Sequence, residues 1–335
     1  MKKWLVSLAI IVSLFLALSI IAKNVSADKV ELEKIKQAIK DKGAKWEADE
    51  TSISRLAPQE RIKKLGTIIE GASANAGKKK TPPSPTPPSP PPAPAPTPVP
   101  VSYDWRSYGR VTPIKDQGQC GSCWAFGAVA AAESAYLVTN TTASTIDLSE
   151  QDLVSCCSYC WGSSTGGCGG GYLSQAYNYL QNKGAVDENS FKYLAQNSPC
   201  NNSTNPRTKI SGWTSVSQDV NSLKTAIYSK PITAAFYVFT DFFSYKSGVY
   251  KYVYGQLEGG HAICIVGWDD NNSCFIVKNS WGTGWGESGY FKIAYSEINN
   301  SVLFGRSAAS FSMASLAPPR ASKSMITTMW GQIKS

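Results

Sequence analysis

The sequence predicts an α+β body in which a helical half precedes a sheet half, with a cleft between them. Two observations carry this. Residues 123–138 are an Ala-rich run with apolar residues on more than one face, the pattern of a buried helix, and 149–154 and 172–182 read as further helical pieces. From about residue 209 the chain changes character: short β-rich runs at 231–239, 260–268, 274–278 and 289–295 are separated by Gly, Asn and Asp turns. Helices segregated from strands give an α+β architecture, and the seam between the halves is where a ligand cleft forms. There are no internal repeats.

The rest of the chain is arranged around this body. Of its 335 residues 42% are hydrophobic, enough for one or two domains with a sizeable core. The formal net charge is +9, unevenly placed: residues 1–100 carry 16 Lys/Arg against 9 Asp/Glu, residues 101–316 carry 14 against 15, and the tail carries three basic residues and no acid. A near-neutral body argues against a nucleic-acid partner. Lys2 and Lys3, an apolar run over 4–22 and Val25-Ser26-Ala27 read as a signal peptide over 1–27. That run has 19 residues, so an uncleaved membrane anchor is the alternative, and only through it is a membrane contact expected. In either case the body is expected to be exported, secreted or extracytoplasmic. Residues 28–77 are charged and helix-permissive over 28–70, too short and too polar for a core of their own. Residues 78–100 form a Lys/Pro-rich linker. Lys78-Lys79-Lys80 is an exposed nicking site, and twelve prolines over 81–100 follow it. Those twenty residues make a polyproline II spacer of about 60 Å at roughly 3.1 Å per residue. Residues 101–316 are the body, expected to be a monomer, and 317–335 form a C-terminal tail without an assignment.

The single histidine narrows the chemistry. It excludes a His-x-x-x-His zinc site and leaves His261 as the only imidazole available as a base. The candidate nucleophile is Cys123. In Gln117-Gly118-Gln119-Cys120-Gly121-Ser122-Cys123-Trp124-Ala125-Phe126, a Gly-rich turn delivers Cys123 to the N-terminus of the Ala-rich helix. Unpaired N–H groups and a partial positive charge there favour a thiolate. A reactive thiol needs a base, and the base needs a partner that orients it. His261 opens a β run in Gly259-Gly260-His261-Ala262; eighteen residues on, Lys278-Asn279-Ser280-Trp281-Gly282 ends the paired strand, so that a hairpin can return Asn279 beside His261.

These segments resemble the papain family of cysteine proteases. The resemblance spans residues 101–313. Besides the turn around Cys123 it rests on Tyr103-Asp104-Trp105-Arg106, Leu148-Ser149-Glu150-Gln151, Cys168-Gly169-Gly170-Gly171-Tyr172 and Trp281-Gly282-Thr283-Gly284-Trp285-Gly286. His261 and Asn279 follow Cys123 by 138 and 156 residues. It implies a papain-like two-lobed fold, with a helical left lobe and a β-barrel-like right lobe flanking the active-site cleft. It also implies an endopeptidase that hydrolyses peptide bonds through an acyl-enzyme, made as a zymogen, with no cofactor and no metal. Cys123 is then the nucleophile, a thiolate beside protonated His261, since in this family the paired thiol falls to about 3–4. His261 donates a proton to the leaving amine and later activates water. Asn279 orients the imidazole, Trp281 shields that contact, and Gln117 with the backbone N–H of Cys123 forms the oxyanion hole. The backbone of Gly170 and Gly171 pairs with a substrate strand. The main specificity pocket, which takes the side chain one residue upstream of the cut residue, maps to Tyr172, Leu173, Ala235 and Ala262, with Ala309 near its floor. These walls are apolar, so bulky apolar side chains are expected to be preferred over Arg.

Export makes the nine cysteines readable as a disulfide framework. By the resemblance Cys120 pairs with Cys168 and Cys156 with Cys200, and Cys157 with Cys160 is similar to a short extra bridge in cathepsin B. Cys264 and Cys274 fall on facing strands of one hairpin, as a fourth bridge or as free buried thiols; four bridges would leave only Cys123. A zinc cluster of Cys156, Cys157, Cys160 and Cys168 competes, with poor spacing for two Cys-x-x-Cys arms. The sequence also departs from the family. Gly169 stands where Asn is usual, Gly255 and Phe304 lie near the places of an absent third bridge, and the His-bearing insertion that closes the cathepsin B cleft is missing, which favours endopeptidase action. Lys45-Trp46-Glu47-Ala48 and Lys63-Lys64-Leu65-Gly66-Thr67 resemble the short cathepsin B propeptide, which runs through the cleft in reverse and blocks it. Residues 28–77 are therefore expected to be a propeptide that inhibits its own body, with a surface tether as the alternative. Protein or peptide substrates are the other expected partners. A non-enzymatic papain-fold module on a Pro-rich stalk, or a peptide ligase or transferase using the same dyad, are the competing functions. Intact Gln117, Cys123, His261 and Asn279 speak against the first, and Asn rather than Asp beside the His speaks against transglutaminase-like transfer.

Overall fold

A computed structural model describes residues 29–70, 99–201 and 204–314. The expected signal segment, most of the linker including Lys78-Lys79-Lys80, and the C-terminal tail lie outside the described residues. The N-terminal segment contributes helix α1 (29–41), strand β1 (Trp46–Ala48) and helix α2 (Pro58–Ile62). After β2 (Ser102–Asp104) come the helices of the first lobe, α3 (Cys123–Thr139), α4 (Glu150–Cys156) and α5 (Leu173–Asn182), and a short pair β3 (Ala185–Val186) and β4 (Arg207–Thr208). The second lobe holds β5 (Gly212–Ser215), α6 (Val220–Ser229), β6 (Ile232–Phe239), β7 (Tyr245–Tyr250), β8 (Leu257–Asp269), β9 (Cys274–Lys278), β10 (Tyr290–Ala294) and β11 (Arg306–Ser312).

This is the α+β order expected, helices before strands. The strands form one sheet in the order β1-β7-β10-β9-β8-β6-β11-β5, with β2 also on β8. The barrel-like closure is not reached: the sheet runs open between β1 and β5.

Helix α3 is buried around its whole circumference for most of its length, as a helix apolar on every face must be. Its small residues let it lie directly on β8. A Cβ added at Gly127 would stand 3.1 Å from the Ile263 nitrogen and 3.2 Å from the Ala262 Cβ. That close approach sets the start of α3, and so Cys123, beside the strand that carries His261.

Segment 29–70 has no separate core. Its Leu32, Ile35, Trp46, Ile53 and Leu65 are buried within the core of the sheet lobe. Strand β1 extends the sheet edge antiparallel to β7. Trp46 packs its ring 5.3 Å from that of Tyr250 and donates its indole N–H to the Lys251 carbonyl at 3.0 Å.

Disulfides join Cys120 to Cys168, Cys156 to Cys200 and Cys157 to Cys160, so the four cysteines weighed as a zinc cluster are all in bridges. Cys264 and Cys274 are free and buried, and the fourth bridge does not form. The reason is register. Cys264 stands opposite Lys278 and Cys274 opposite Asp269. The four-residue step from Lys278 back to Cys274 is about 14 Å at roughly 3.4 Å per residue, far beyond the Cα separation of about 7 Å that a disulfide tolerates. Three thiols are therefore left over, not Cys123 alone.

Candidate active site

Two loops meet at the start of α3, and one buried charge network anchors both. Lys115 reaches Glu133 of α3 at 3.0 Å, Glu150 of α4 at 2.9 Å and Asp147 at 2.7 Å. Thr112 donates its hydroxyl to Glu133, and Lys278 at the end of β9 donates to Thr112 at 2.8 Å. The three carboxylates hold the Lys115 ammonium well above its usual range although burial opposes them. The chain just before Gln117 and the chain just before Asn279 are thus fixed to the same buried point.

Gln117 is fully buried, and its orientation follows from its partners. Its backbone N–H donates to the Ser280 carbonyl at 2.9 Å, and its Oε1 accepts the Ser280 hydroxyl at 2.8 Å. The amide nitrogen therefore faces the other way, towards the Cys120 carbonyl at 2.8 Å and the Lys64 carbonyl at 3.1 Å. Ser280 was not picked out from the sequence; its place between Asn279 and Trp281 was the only signal.

His261 lies on β8 opposite Phe236 of β6, and the β8–β9 hairpin returns Asn279 to it. His261 Nε2 is 2.7 Å from Asn279 Oδ1. That oxygen also accepts the Ser280 N–H at 2.8 Å, which fixes the amide with its oxygen towards the imidazole. An amide oxygen only accepts, so Nε2 carries a proton and, in the neutral ring, Nδ1 is the basic nitrogen. Nδ1 is buried without a hydrogen-bond partner. The buried Trp281 ring lies 4.6 Å from the imidazole. Ala235 and Ala262 are paired across β6 and β8, and Ala309 on β11 faces Thr233 of β6. These three and Leu173 are buried in one apolar cluster, and half-buried Tyr172 caps α5 beside them.

Residues 64–70 run across these groups. The Gly66 and Thr67 N–H groups donate to the Gly260 carbonyl at 3.2 and 3.1 Å. Gly171 exchanges two bonds with the same strand, accepting from Ile68 at 3.0 Å and donating to Gly66 at 2.8 Å. Gly170 does not bond this segment; its carbonyl accepts the Gly162 N–H. The Thr67 hydroxyl lies 3.1 Å from Cys123 Sγ. Beyond it Ile69 is buried over Gly260, within the cluster that holds Leu173, Ala235, Ala262 and Ala309. The segment thus reaches the apolar pocket after passing Cys123, whereas a substrate's pocket residue precedes its cut residue. The course is reversed.

This cover alters the titration. Both Cys123 and His261 are fully buried. Burial pushes the Cys123 thiol up, against the Thr67 hydroxyl and the N–H groups of Ala262, Gly66 and Thr67, which favour the thiolate. Burial pulls the His261 imidazole down to about 4, against its Asn279 bond, and the nearby Lys64 ammonium adds to the fall. Desolvation by the cover thus works against charge on both groups.

A pH dependence follows. In the covered site His261 takes a proton only near pH 4, against about 6.5 for an ordinary imidazole. Protonation of His261 in the uncovered site therefore works against docking, increasingly so as pH falls towards 4. Hydrogen exchange at the amides of residues 64–69 is expected to quicken, beyond its intrinsic pH dependence, as pH is lowered through that window. Protection that stays constant from pH 7 to 4 would contradict it.

A two-lobed α+β fold with cysteine, histidine and asparagine gathered at the seam defines a narrow class of protein. Residues 99–310 match the family described as papain family cysteine protease, and the chain belongs to that family. Cysteine proteinase 2 of Entamoeba histolytica is 38% identical over 200 residues, covering 57% of this chain and 62% of that protein. The Cathepsin L-like proteinase of Fasciola hepatica is 40% identical over 202 residues, covering 58% and 60%. The match spans less than two thirds of the length of these relatives. Among solved structures, proCathepsin B S9 from Trypanosoma congolense is similar at a TM-score of 0.69 and 25% identity, over 86% of this chain and 98% of that one. That share extends beyond residues 99–310. The bromelain protease from Ananas comosus, in complex with the E64 inhibitor, is similar at a TM-score of 0.56 and 34% identity, over 64% and 100%.

Proposed function

We propose that the chain is an exported cysteine endopeptidase made as a zymogen, with residues 28–77 as its inhibitory propeptide, 78–100 as linker and 101–316 as the catalytic domain. The observation that carries this is the Cys123, His261 and Asn279 arrangement lying beneath a strand that runs through the cleft in reverse. With the strand gone, the thiol proton passes to His261 Nδ1, the nitrogen that the Asn279 bond leaves basic. The thiolate attacks the scissile carbonyl, and its charge collects where Gln117 Nε2 and the Cys123 N–H point; in the covered form that Gln117 donor is held by the Lys64 carbonyl. His261 returns the proton to the leaving amine, then activates the water that hydrolyses the thioester. Gly170 and Gly171 offer the backbone pairing that residues 66–68 now use in part. Export is supported by the signal-like N-terminus and the three disulfides.

The buried Ile69 supports a pocket for bulky apolar side chains, built from Tyr172, Leu173, Ala235, Ala262 and Ala309. The test is a fluorogenic peptide series on the matured protein, varied one residue upstream of the cut residue. Leu, Phe or Val is expected to exceed Arg by tenfold or more in kcat/KM. Preference for Arg would overturn the pocket assignment, and no hydrolysis of any peptide would overturn the peptidase reading.

A further inference from the structure

We propose that Arg306 and Ser174 form a second specificity subsite, one that takes an acidic substrate side chain immediately upstream of the residue held in the apolar pocket. This rests on the peptidase reading above.

Arg306 opens β11 opposite Ala235, a wall of the apolar pocket, and lines a neighbouring groove. This groove has a volume of about 260 Å³, and its lining includes Ser174, Tyr177, Trp213, Gln218 and Ser307. Most polar groups of this lining are already engaged. Gln218 donates to the carbonyls of Ile298 and Phe304, Tyr177 to the Ser307 carbonyl, and the Trp213 indole to Asn178. Besides the Ser215 and Ser307 hydroxyls, the Arg306 guanidinium and the Ser174 hydroxyl are left to meet a ligand.

Both of these are held by one residue of the blocking strand, Glu70. Ser174 donates to its carboxylate at 3.1 Å, and Arg306 Nη2 donates to its carbonyl at 3.1 Å. Among the described residues the Arg306 guanidinium makes no other hydrogen bond and no ion pair. Glu70 is also the one acidic side chain lining the groove. When the strand leaves, it takes that carboxylate with it, and the groove keeps a half-buried cation beside a hydroxyl donor. Arg306 meets the Glu70 main chain and Ser174 its carboxylate; a substrate carboxylate here accepts from the hydroxyl and is attracted by the guanidinium, a neutral amide less so, and an ammonium is repelled. Glu70 directly follows Ile69. A substrate crossing in the opposite direction therefore brings to this groove the residue that directly precedes the one in the apolar pocket.

The pair is partly solvated, so its effect is modest and falls with salt. The test uses the full chain brought to its matured form and three peptides that share the apolar residue and the cut residue. They differ only at the next position upstream, as Glu, Gln or Lys. Glu is expected to exceed Gln by about threefold to fivefold in kcat/KM and Lys by about tenfold. The Glu/Gln ratio should shrink towards one in Arg306→Gln, and the Glu/Lys ratio should invert in Arg306→Glu. Should a variant fail to fold, the native protein gives the same answer: the Glu/Gln ratio must fall between low and high salt. Equal hydrolysis of all three peptides overturns the subsite and leaves the peptidase reading standing. A preference for Glu that survives both Arg306→Gln and high salt also overturns it. Hydrolysis of none of them overturns the peptidase reading, and the subsite with it.

Discussion

Cys123→Ala is expected to lose peptide hydrolysis by a factor on the order of 10⁴–10⁶ in kcat, the range seen when a nucleophile is removed from a unit that acts together. The structure makes this a clean experiment. The side chain lies at the first turn of α3, where Ala is a good helix former, and apart from the Ala262 N–H its hydrogen-bonding partners belong to the blocking strand. Melting of the matured variant should therefore stay close to that of the native protein. The other two free thiols cannot take over. Burial pushes both Cys264 and Cys274 up to about 12, so neither supplies thiolate near neutral pH, and no imidazole other than His261 exists in the chain. Substantial hydrolysis by the Cys123→Ala protein would mean that the reaction runs elsewhere.

Gly66→Ala is expected to have the second-largest effect, in the opposite direction: the full chain should become active without cleavage of its N-terminal segment. At this point the blocking strand approaches the body backbone to backbone. A Cβ on residue 66 would lie 1.9 Å from the Gly121 carbonyl oxygen and 2.5 Å from its carbon, with no flexible side chain able to give way. Relieving the clash means lifting the strand, and with it the Gly260 and Gly171 pairings and the Lys64 carbonyl from Gln117. Because residue 66 belongs to the strand, the catalytic groups are untouched. Full-chain activity is expected to rise at least tenfold, and the Cys123→Ala, Gly66→Ala double variant should remain inactive. Latency unchanged in Gly66→Ala would show that residues 64–68 do not block the site.

Much of this site is legible in the sequence because each group constrains the next. A Gly-rich turn opening an Ala-rich helix presents Cys123, one histidine leaves no choice of base, and a hairpin of the right length returns Asn279. The helices of the first lobe and four strands of the second fall within a few residues of their predicted places. Strands β5, β7 and β11 and helix α6 are not legible in the sequence: Ser247 and Gly248 interrupt β7, and Ser and Ala fill most of β11. The state of Cys264 and Cys274 depends on register, and the bulge between Ile265 and Gly267 that shifts it leaves no mark in the local pattern. The protonation of the dyad depends on what covers it, and that cover comes from residues more than fifty positions before Cys123. Arg306 was invisible for the same reason: its partner Glu70 is 236 residues away.

In the proposed zymogen Cys123 is the nucleophile, held latent beneath residues 64–70. Covalent labelling with an epoxysuccinyl thiol-protease inhibitor, read by intact mass and peptide mapping, tests this most directly. The full chain at neutral pH and the matured protein would be compared under one set of conditions. The expected result is a single adduct on Cys123, formed rapidly after the segment is removed and slowly while it is docked. An adduct on Cys264 or Cys274, no adduct on Cys123, or labelling at the same rate in both forms would contradict it.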